Sequence, residues 1–463
     1  MSAPLIWIVF PIVMAGLMII FSYQRKLVLF SGIFLAVLLA LLAWQLKVDE
    51  VIIVGSTAFK IQPQLNVAGR QLVIADSDRP SIMYFYSVLL FWLVGATTVR
   101  VPRLFAPLGL LIVAVFLAAL AVEPPLFAAL LIEIAILISV FMLVNVGERI
   151  NRGVVRFLIY QTLGMPLILL ASWFLGNVQI ESGALVDIIR AAIFLALGFA
   201  FQFGVFPFHS WIPMLFEKAN PFIAAFVVSL LLSVETQYAF GFLHRYPGLQ
   251  EVLNIRGILQ FLGLLMLVLG GLWAAFQKDL TRMIGFTFVA VIGHIFLMLS
   301  LEDGIQLFYV FSVHRILAFA IWAVALAVIR TQTPNLRFSS VQGMARRFPI
   351  IAGSVVIAQF SIAGIPLLAG FPVLLILWER LTLSGIWPIL LSLLGSASLM
   401  VGGLRTLAVF VMGSEEIHRE GDFPHYLLPR AILTIGILLL FLMGLFPQWF
   451  LPVLSSIPVF TKP

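Results

Sequence analysis

The sequence predicts an all-α polytopic membrane protein with about 14 transmembrane helices. Three observations support this fold class. The chain of 463 residues is 62% hydrophobic and only 10% charged, whereas a soluble domain carries about 25% charged residues. Apolar stretches of roughly 20 residues, the length that crosses a bilayer, follow one another along the whole chain. Two of these stretches are interrupted by proline at matching places in the two halves.

Fourteen predicted spans account for most of the chain. Their bounds are 4–22, 27–46, 82–98, 104–121, 126–145, 154–174, 187–206, 220–243, 257–276, 283–300, 305–329, 350–382, 386–411 and 429–447. Basic residues flank these spans unevenly, and cytoplasmic loops are the ones enriched in Lys and Arg. We therefore place the more basic side in the cytoplasm and both termini outside. The chain start lacks a basic region and a cleavage site, so the first span is predicted to be retained.

Between the second and third spans, segment 47–81 alternates polar and apolar residues and predicts a small external β-hairpin. Spans 4 to 8 and 9 to 13 form two five-helix units, each with a broken helix. An odd number of spans per unit inverts the second copy relative to the first. The predicted domains are the N-terminal spans with their hairpin, the first repeat, the second repeat and a C-terminal span: 1–103, 104–243, 257–411 and 412–463.

Composition also excludes several classes of function. Cysteine is absent and the six histidines are scattered singly, which excludes disulfides, thiolate metal sites and Cys-ligated iron–sulfur clusters. No Walker sequence or dinucleotide fingerprint is present. The net charge of +7 comes from short loops rather than from a basic patch, so nucleic acid is not a predicted partner. We therefore expect neither a cofactor nor a metal site in this chain.

The two interruptions are the most informative feature for function. The first reads GVFPFHSWIP around Pro207, and the second reads AGIPLLAGFP around Pro366. A broken helix leaves backbone amides and carbonyls without partners, and it survives in a bilayer only where protein or a polar cavity satisfies them. A matching pair is typical of carriers or channels whose ion path runs through the breaks.

Three segments carry a family resemblance: PFHSWIP at 207–213, QKDLTRMI at 277–284 and SIAGIPLLAGF at 361–371. With them, the chain resembles the antiporter-like membrane subunits of respiratory complex I. That family also includes subunits of Mrp-type cation/proton antiporters, membrane-bound hydrogenases and inorganic-carbon uptake systems. Glu133 in span 5 stands where the family has a buried glutamate. The resemblance covers nearly the whole chain and agrees with its length and span number.

The chain departs from the family at its intramembrane lysines, through which family pumps are thought to move protons. Gln202 stands at the first lysine position, and the second aligns with Ser233 or Glu235. Leu374 stands at the expected position after the second break, and another lysine aligns near Ala318. The six lysines of the chain all lie outside the predicted spans. The resemblance therefore implies a proton path without the usual lysine relay.

Ionisable side chains cost about 2.5–3.5 kcal/mol or more at the bilayer centre, so those that lie there need a reason. Such groups lie near the centres of spans 5, 8, 10 and 11. Together with Gln202 they form the candidate proton path: Glu133, Glu235, His294, His314 and Arg315. A carboxylate removed from water can carry a proton near neutrality, and histidine titrates in that range unaided. Arginine keeps its proton, so Arg315 is interpreted as a fixed counter-charge.

Each of these residues also has a structural interpretation. Glu133 could merely pair with Arg315 or His314 to hold helices together, and His294 could satisfy one interhelical hydrogen bond. Glu379 and Arg380 lie near the end of span 12. They are interpreted as a local charge pair close to the membrane interface.

The predicted function is that of a non-redox, proton-translocating membrane-arm subunit of a complex-I-type NADH/quinone oxidoreductase. Its expected partners are other membrane subunits of a multi-subunit complex and the lipid bilayer. The expected location is a bacterial-type inner membrane or an equivalent energy-converting membrane. Two alternatives remain open. The chain could be a degenerate structural subunit of that arm, or it could belong to an antiporter, hydrogenase or carbon-uptake complex.

Overall fold

The computed structural model describes residues 2–54, 57–67, 69–144, 150–178, 184–246, 249, 254–302, 304–412 and 427–455. In these ranges, 11 helices are long and apolar enough to cross a membrane, and three further apolar helices are shorter. The chain is therefore a mostly helical polytopic membrane protein. Segments 413–426 and 456–463, which belong to the predicted C-terminal unit, lie outside the described residues.

The main helices, numbered in chain order, are α1 Leu5–Ile20, α2 Arg25–Gln45, α3 Arg79–Ala96, α4 Phe105–Ala121, α5 Leu126–Leu143, α6 Arg152–Val178, α7 Ala184–Gln202, α8 Trp211–Lys218, α9 Pro221–Arg245, α10 Ile255–Phe276, α11 Leu280–Leu299, α12 Gly304–Arg330, α13 Pro349–Ala363, α14 Gly370–Leu381, α15 Ile386–Val411, α16 Leu427–Leu445 and α17 Pro447–Ser455. Short helical turns occupy Asp76–Asp78, Phe208–Ser210, Phe338–Ser340, Met344–Arg347 and Thr382–Ser384. Each predicted span falls on one of the main helices, and the long twelfth span is divided between α13 and α14.

Five short strands lie between the helices at one end of the molecule, which we call the strand face: β1 Val51–Val54, β2 Thr57–Lys60, β3 Gln64–Val67, β4 Arg70–Val73 and β5 Val122–Glu123. The prediction of one hairpin in 47–81 was wrong in its topology. β1 pairs with β2 and β3 pairs with β4, both antiparallel, and β5 adds to β4 as a third strand. The β3–β4 turn contains Gly69, whose φ of 74° suits a tight turn and closes this hairpin locally.

The centre of the molecule consists of α9, α11 and α12. At least 94% of the residues in their apolar windows are buried, against 22–33% in α6, α7 and α16. α9 begins where the Asn220 side chain accepts a hydrogen bond from the Phe222 amide, with Pro221 in the first turn. α11 begins where Asp279 accepts from the Thr281 amide. These caps satisfy helix-end amides, so both central helices have defined starts.

α10 and α11 pack closely because glycines face each other. A Cβ atom on Gly293 would lie 2.5 Å from the Leu267 amide nitrogen and 2.6 Å from the Gly263 carbonyl oxygen. A Cβ on Gly270 would lie 2.5 Å from the Ala290 amide nitrogen. Inside a membrane, helices gain little from hiding apolar surface from lipid, so such close backbone approach is a main source of association.

Replacing Gly293 with Ala should therefore lower the thermal midpoint of the purified protein in detergent. The added methyl group meets backbone atoms that cannot move aside, and overpacking of this kind costs about 1–3 kcal/mol. The control is Gly353→Ala in α13, where a Cβ meets nothing within 4 Å. Equal midpoints for the two variants would contradict the packing argument.

Candidate functional site

The first helix interruption begins with a defined C-terminal motif. α7 ends at Gln202, and Gly204 follows with a left-handed φ of 60°. The Gly204 amide donates to the Phe201 carbonyl at 3.2 Å, and the Val205 amide donates to the Ala200 carbonyl at 2.9 Å. These two bonds are those of a Schellman motif, which satisfies carbonyls at a helix end.

The second interruption repeats this geometry. α13 ends at Ala363, and Gly364 has a φ of 81°. The Gly364 amide donates to the Ser361 carbonyl at 3.2 Å, and the Ile365 amide donates to the Phe360 carbonyl at 3.0 Å. The same pair of bonds, in the same order around a left-handed glycine, therefore opens both breaks.

After these motifs the two segments differ. Pro207 follows a cis peptide bond, and a short helical turn then leads into α8. In the second segment Pro366 precedes Leu367, which has a φ of 74°, and α14 then begins at Gly370. Both predicted broken-helix prolines thus lie in non-helical backbone between two helical segments.

A buried glutamine from α6 satisfies the end of α7. Gln161 Nε2 donates to the Gln202 carbonyl at 2.9 Å, and both residues are almost fully buried. The side-chain Oε1 atoms of both residues have no hydrogen-bond partner in the described part of the chain. The first break therefore leaves two side-chain oxygens without hydrogen bonds inside the protein. They lie beside α6, a helix that is mostly exposed on the surface of the chain.

Glu133 lies on α5 and contacts the same helix α6. Its Oε1 accepts a hydrogen bond of 2.6 Å from the Thr162 hydroxyl, and its Oε2 is buried without a partner among the described residues. No ion pair of the described residues joins Glu133 to His314 or Arg315, so the structural alternative based on that pairing was wrong. Thr162 and Gln161 are consecutive, which places Glu133 and the first break against the same stretch of α6.

Three basic side chains surround one aromatic ring between α11 and α12. The guanidinium carbon of Arg315 lies 3.1 Å from the centroid of the Phe311 ring. The rings of His294 and His314 lie 5.4 Å and 5.6 Å from the same ring, centroid to centroid. All three basic side chains are buried. The Arg315 nitrogens and both histidine Nε2 atoms have no hydrogen-bond partner within the described ranges.

His314 connects this cluster to the second break. Its Nε2 lies 3.6 Å from the position that a Cβ on Gly370 would occupy, at the N-terminal end of α14. Its Nδ1 lies 3.4 Å from the Val310 carbonyl on its own helix, and His294 Nδ1 contacts the Ala290 carbonyl in the same way. Each histidine is therefore held by its own helix on one side of the ring.

The other predicted site residues are separate from this cluster. Glu235 on α9 is fully buried, and neither carboxylate oxygen has a hydrogen-bond partner in the described residues. Glu379 and Arg380 are exposed at the end of α14, as expected for an interface feature. Within the described ranges, no group of three His, Asp or Glu side chains could hold a metal ion.

Two residues of the site were missed by sequence reasoning. Gln161 and Thr162 are uncharged polar residues in the middle of an apolar span, and the available signal was their position there. The fold and the site define a multi-spanning membrane protein with buried ionisable groups placed beside paired helix interruptions.

The chain belongs to the NADH:quinone oxidoreductase/Mrp antiporter transmembrane family, whose model matches residues 149–400. This range contains both breaks and the basic cluster. A similar curated relative is NADH-quinone oxidoreductase subunit N of Pelagibacter ubique, which is 24% identical over 271 residues. That match covers 58% of this chain and 57% of the relative, so the chain spans little more than half of its length.

Two solved structures share the fold over almost the full chain. A chain of the archaeal membrane-bound sulfane sulfur reductase has a TM-score of 0.81 at 16% identity, and the match covers 99% of this chain and 98% of that one. A chain of respiratory complex I from Thermus thermophilus with bound NADH has a TM-score of 0.74 at 19% identity. Here the match covers 99% of this chain and 100% of that one.

Proposed function

We propose that this chain is a proton-translocating, antiporter-like membrane-arm subunit of a complex-I-type NADH/quinone oxidoreductase. In this role it couples electron transfer in partner subunits to proton movement and needs no cofactor of its own. Family membership supports the proposal, as do the name of the relative from Pelagibacter ubique and the match to a chain of respiratory complex I.

The observation that carries the proposal is that each break is faced by a buried polar side chain from a neighbouring helix. Gln161 bonds the end of α7, and His314 Nε2 faces the start of α14. A bilayer core does not tolerate unpaired backbone polar groups unless protein or a polar cavity satisfies them. Two such places in one chain are suited to holding water, which a proton path needs.

In the proposed path, Glu133 carries the proton at the first break, where its free oxygen and Gln202 lie against the same stretch of α6. Glu235 provides a second buried carboxylate, and His294 and His314 provide neutral bases near the second break. Arg315 keeps its charge and acts as a fixed cation. Water bridges the gaps between these groups.

The proposed architecture has 14 spans and two inverted five-helix repeats. The 11 long helices and three shorter apolar helices support the number. The repeated Schellman motif supports the repeats, because Gly204 and Gly364 occupy the same place in the fourth helix of each unit. We further propose that both termini lie on the non-cytoplasmic side of an energy-converting membrane, with domain bounds 1–103, 104–243, 257–411 and 412–463.

One observation favours the structural-subunit alternative. Leu374, at the position where the family has a lysine, is fully buried, and its side chain lies against Gly364 at the second break. Ala318, near another lysine position, is also fully buried. Apolar side chains therefore fill two places where a pump of this family has titratable groups. In this alternative the chain docks its neighbours and conducts nothing.

The first experiment is purification of the native complex in mild detergent, followed by mass spectrometry of its partners. We expect quinone-reducing and iron–sulfur subunits beside this chain. Co-purification with transporter subunits only would overturn the proposal in favour of an Mrp-type antiporter or a carbon-uptake complex. Hydrogenase subunits would instead assign the chain to a membrane-bound hydrogenase.

A further inference from the structure

Two kinds of hydrogen bond recur among the buried hydroxyl groups of the described residues. Many of these groups donate to a carbonyl about one turn back on their own helix, as Ser139 does to Ile136 at 2.7 Å and Thr287 to Met283 at 2.9 Å. Such bonds satisfy the hydroxyl locally and join no other helix. A second kind joins hydroxyl groups on different helices. We call the hydroxyl groups of α3, α9 and α12 that lie near one another the hydroxyl file: Ser81, Tyr84, Ser233, Tyr309 and Ser312.

The inner part of the hydroxyl file is centred on Tyr84 of α3. Its hydroxyl oxygen lies 2.8 Å from the Ser233 hydroxyl on α9, and the Ser312 side chain on α12 lies close to it. The Ser233 hydroxyl donates in turn to the Ser229 carbonyl at 2.8 Å. Three helices therefore share one cluster of hydroxyl groups inside the protein.

The outer part brings α3 and α12 together about one helical turn nearer the strand face. Ser81 of α3 and Tyr309 of α12 share a hydrogen bond, and both side chains are fully buried. Each helix advances by three residues between the two pairs, which is a rise of about 4.5 Å. The rings of Tyr84 and Tyr309 touch edge to face, with centroids 5.6 Å apart. Asp78, buried at the start of α3, lies within electrostatic range of Tyr309.

The inner end of the hydroxyl file opens into a cavity of about 30 Å³, in which Ser229, Ser233, Ser312 and Arg315 are the polar residues among eight apolar ones. One water needs about 10–15 Å³ in this measure, so the cavity has room for two. The three Arg315 nitrogens and the Ser229 hydroxyl are buried without a hydrogen-bond partner in the described residues. A charged group in the membrane core needs such partners, and water in this cavity would supply them.

We propose that the hydroxyl file, with water in the Arg315 cavity, is a proton exit route from the centre of the chain to the strand face. The inference rests on the proposed function, proton translocation by this chain. Within each pair, a hydroxyl oxygen accepts a proton from one side and gives its own proton to the other. No hydrogen bond of the described residues joins the inner pair to the outer pair, so water bridges that gap in the proposed route. One proton therefore leaves the file for each that enters, and only O–H bonds are exchanged.

Arg315 places an electrostatic barrier on this route. Its fixed positive charge lies at the inner end of the hydroxyl file, where it raises the energy of a proton that arrives from either side. An arginine acts as a barrier of this kind in channels that exclude protons. We therefore expect proton leak through the file to be slow when no proton is driven into the cavity.

The test compares two tyrosines of α3 in the native complex reconstituted into liposomes with a pH-sensitive dye. Tyr84→Phe removes the central hydroxyl of the file. Tyr86→Phe is the matched control, because the buried Tyr86 hydroxyl donates to the Trp7 carbonyl outside the file. We expect Tyr84→Phe to lower the rate of proton translocation through this chain by about 100-fold, the lower end of the range for a positioned proton-transfer group. Equal translocation in the two variants would overturn the exit route.

A second measurement tests water access without requiring proton pumping. The chain contains no cysteine, so Ser312→Cys introduces a single thiol into the chain, which Ag⁺ added from the strand face should protect from later maleimide labelling. Ser139→Cys, outside the file, is the control and should stay unprotected. If Ag⁺ protects the two thiols equally, the exit route through the hydroxyl file is wrong.

The two proposals can fail separately. If Glu133→Gln abolishes proton translocation and Tyr84→Phe leaves it unchanged, the exit route is wrong and the proposed function stands. If neither variant changes translocation, the proposed function is overturned and the exit route with it.

Discussion

Replacing Glu133 with Gln is expected to lower the rate of proton translocation through this chain by about 100-fold or more, since a positioned acid–base group supplies factors of about 10²–10⁴. The amide keeps the size of the side chain and can still accept the 2.6 Å hydrogen bond from Thr162. The amide cannot release a proton. Its NH2 group takes the place of the buried carboxylate oxygen that does not contact Thr162. Electron transfer by the partner subunits should continue, so protons moved per electron is the quantity to measure.

Two variants separate this effect from a change in packing. Glu379→Gln removes an exposed carboxylate at the end of α14 and should leave the stoichiometry unchanged. Thr162→Val removes the hydrogen bond but keeps the titratable group, so we expect it to retain most of the activity. An unchanged stoichiometry in Glu133→Gln would favour the structural subunit over the proton path.

Replacing Gly370 with Ala should have the largest effect on stability among the changes considered, about 3 kcal/mol at the upper end of the usual range for overpacking. A Cβ at this position would overlap the Ser361 carbonyl oxygen, which is backbone and cannot rotate away. The end of α13 and the start of α14 would have to separate, and the ring of His314 lies against the same place. The measurements are the thermal midpoint in detergent and the amount of chain assembled in membranes.

Gly353→Ala again serves as the control, because its methyl group meets open space and alanine favours a helix over glycine by about 1 kcal/mol. The control should be neutral or slightly stabilising. If Gly370→Ala assembles as well as Gly353→Ala, then the second break can widen at little cost, and its closed geometry is not needed for the fold.

The helices could be predicted from the sequence because the constraints on them are local. A bilayer fixes the length of an apolar segment, and proline with glycine fixes where a helix must end. The bounds of α15, 386–411, agree residue for residue with the prediction, and the break around Pro366 divides α13 from α14. The hairpin region was harder, because the period-two pattern of segment 47–81 shows strands but not which strand pairs with which.

The site could be predicted only in part because its contacts join distant parts of the chain. The Glu133–Thr162 hydrogen bond spans 29 residues and the Gln161–Gln202 bond spans 41. The bond between Ser81 and Tyr309 spans 228. A charged residue in an apolar span can be recognised as unusual because placing a charge in the bilayer core costs free energy. Uncharged polar residues give no such signal, so Gln161, Thr162 and the hydroxyl file were missed. Their importance depends on which helices are neighbours, which hydropathy does not report.

The nearly complete burial of α9, α11 and α12 bears on how the protein responds to its bilayer. A helix that touches lipid must tilt, or deform the surrounding membrane, when hydrocarbon thickness changes, at a cost of fractions of a kcal/mol per Å. The three central helices carry Glu235 and the basic cluster and are buried inside the chain, while α6, α7 and α16 are among the helices with most of their residues exposed. Where such outer helices meet lipid, we expect them to absorb a mismatch between protein and membrane thickness, so that the spacing of the central groups is insulated from lipid composition.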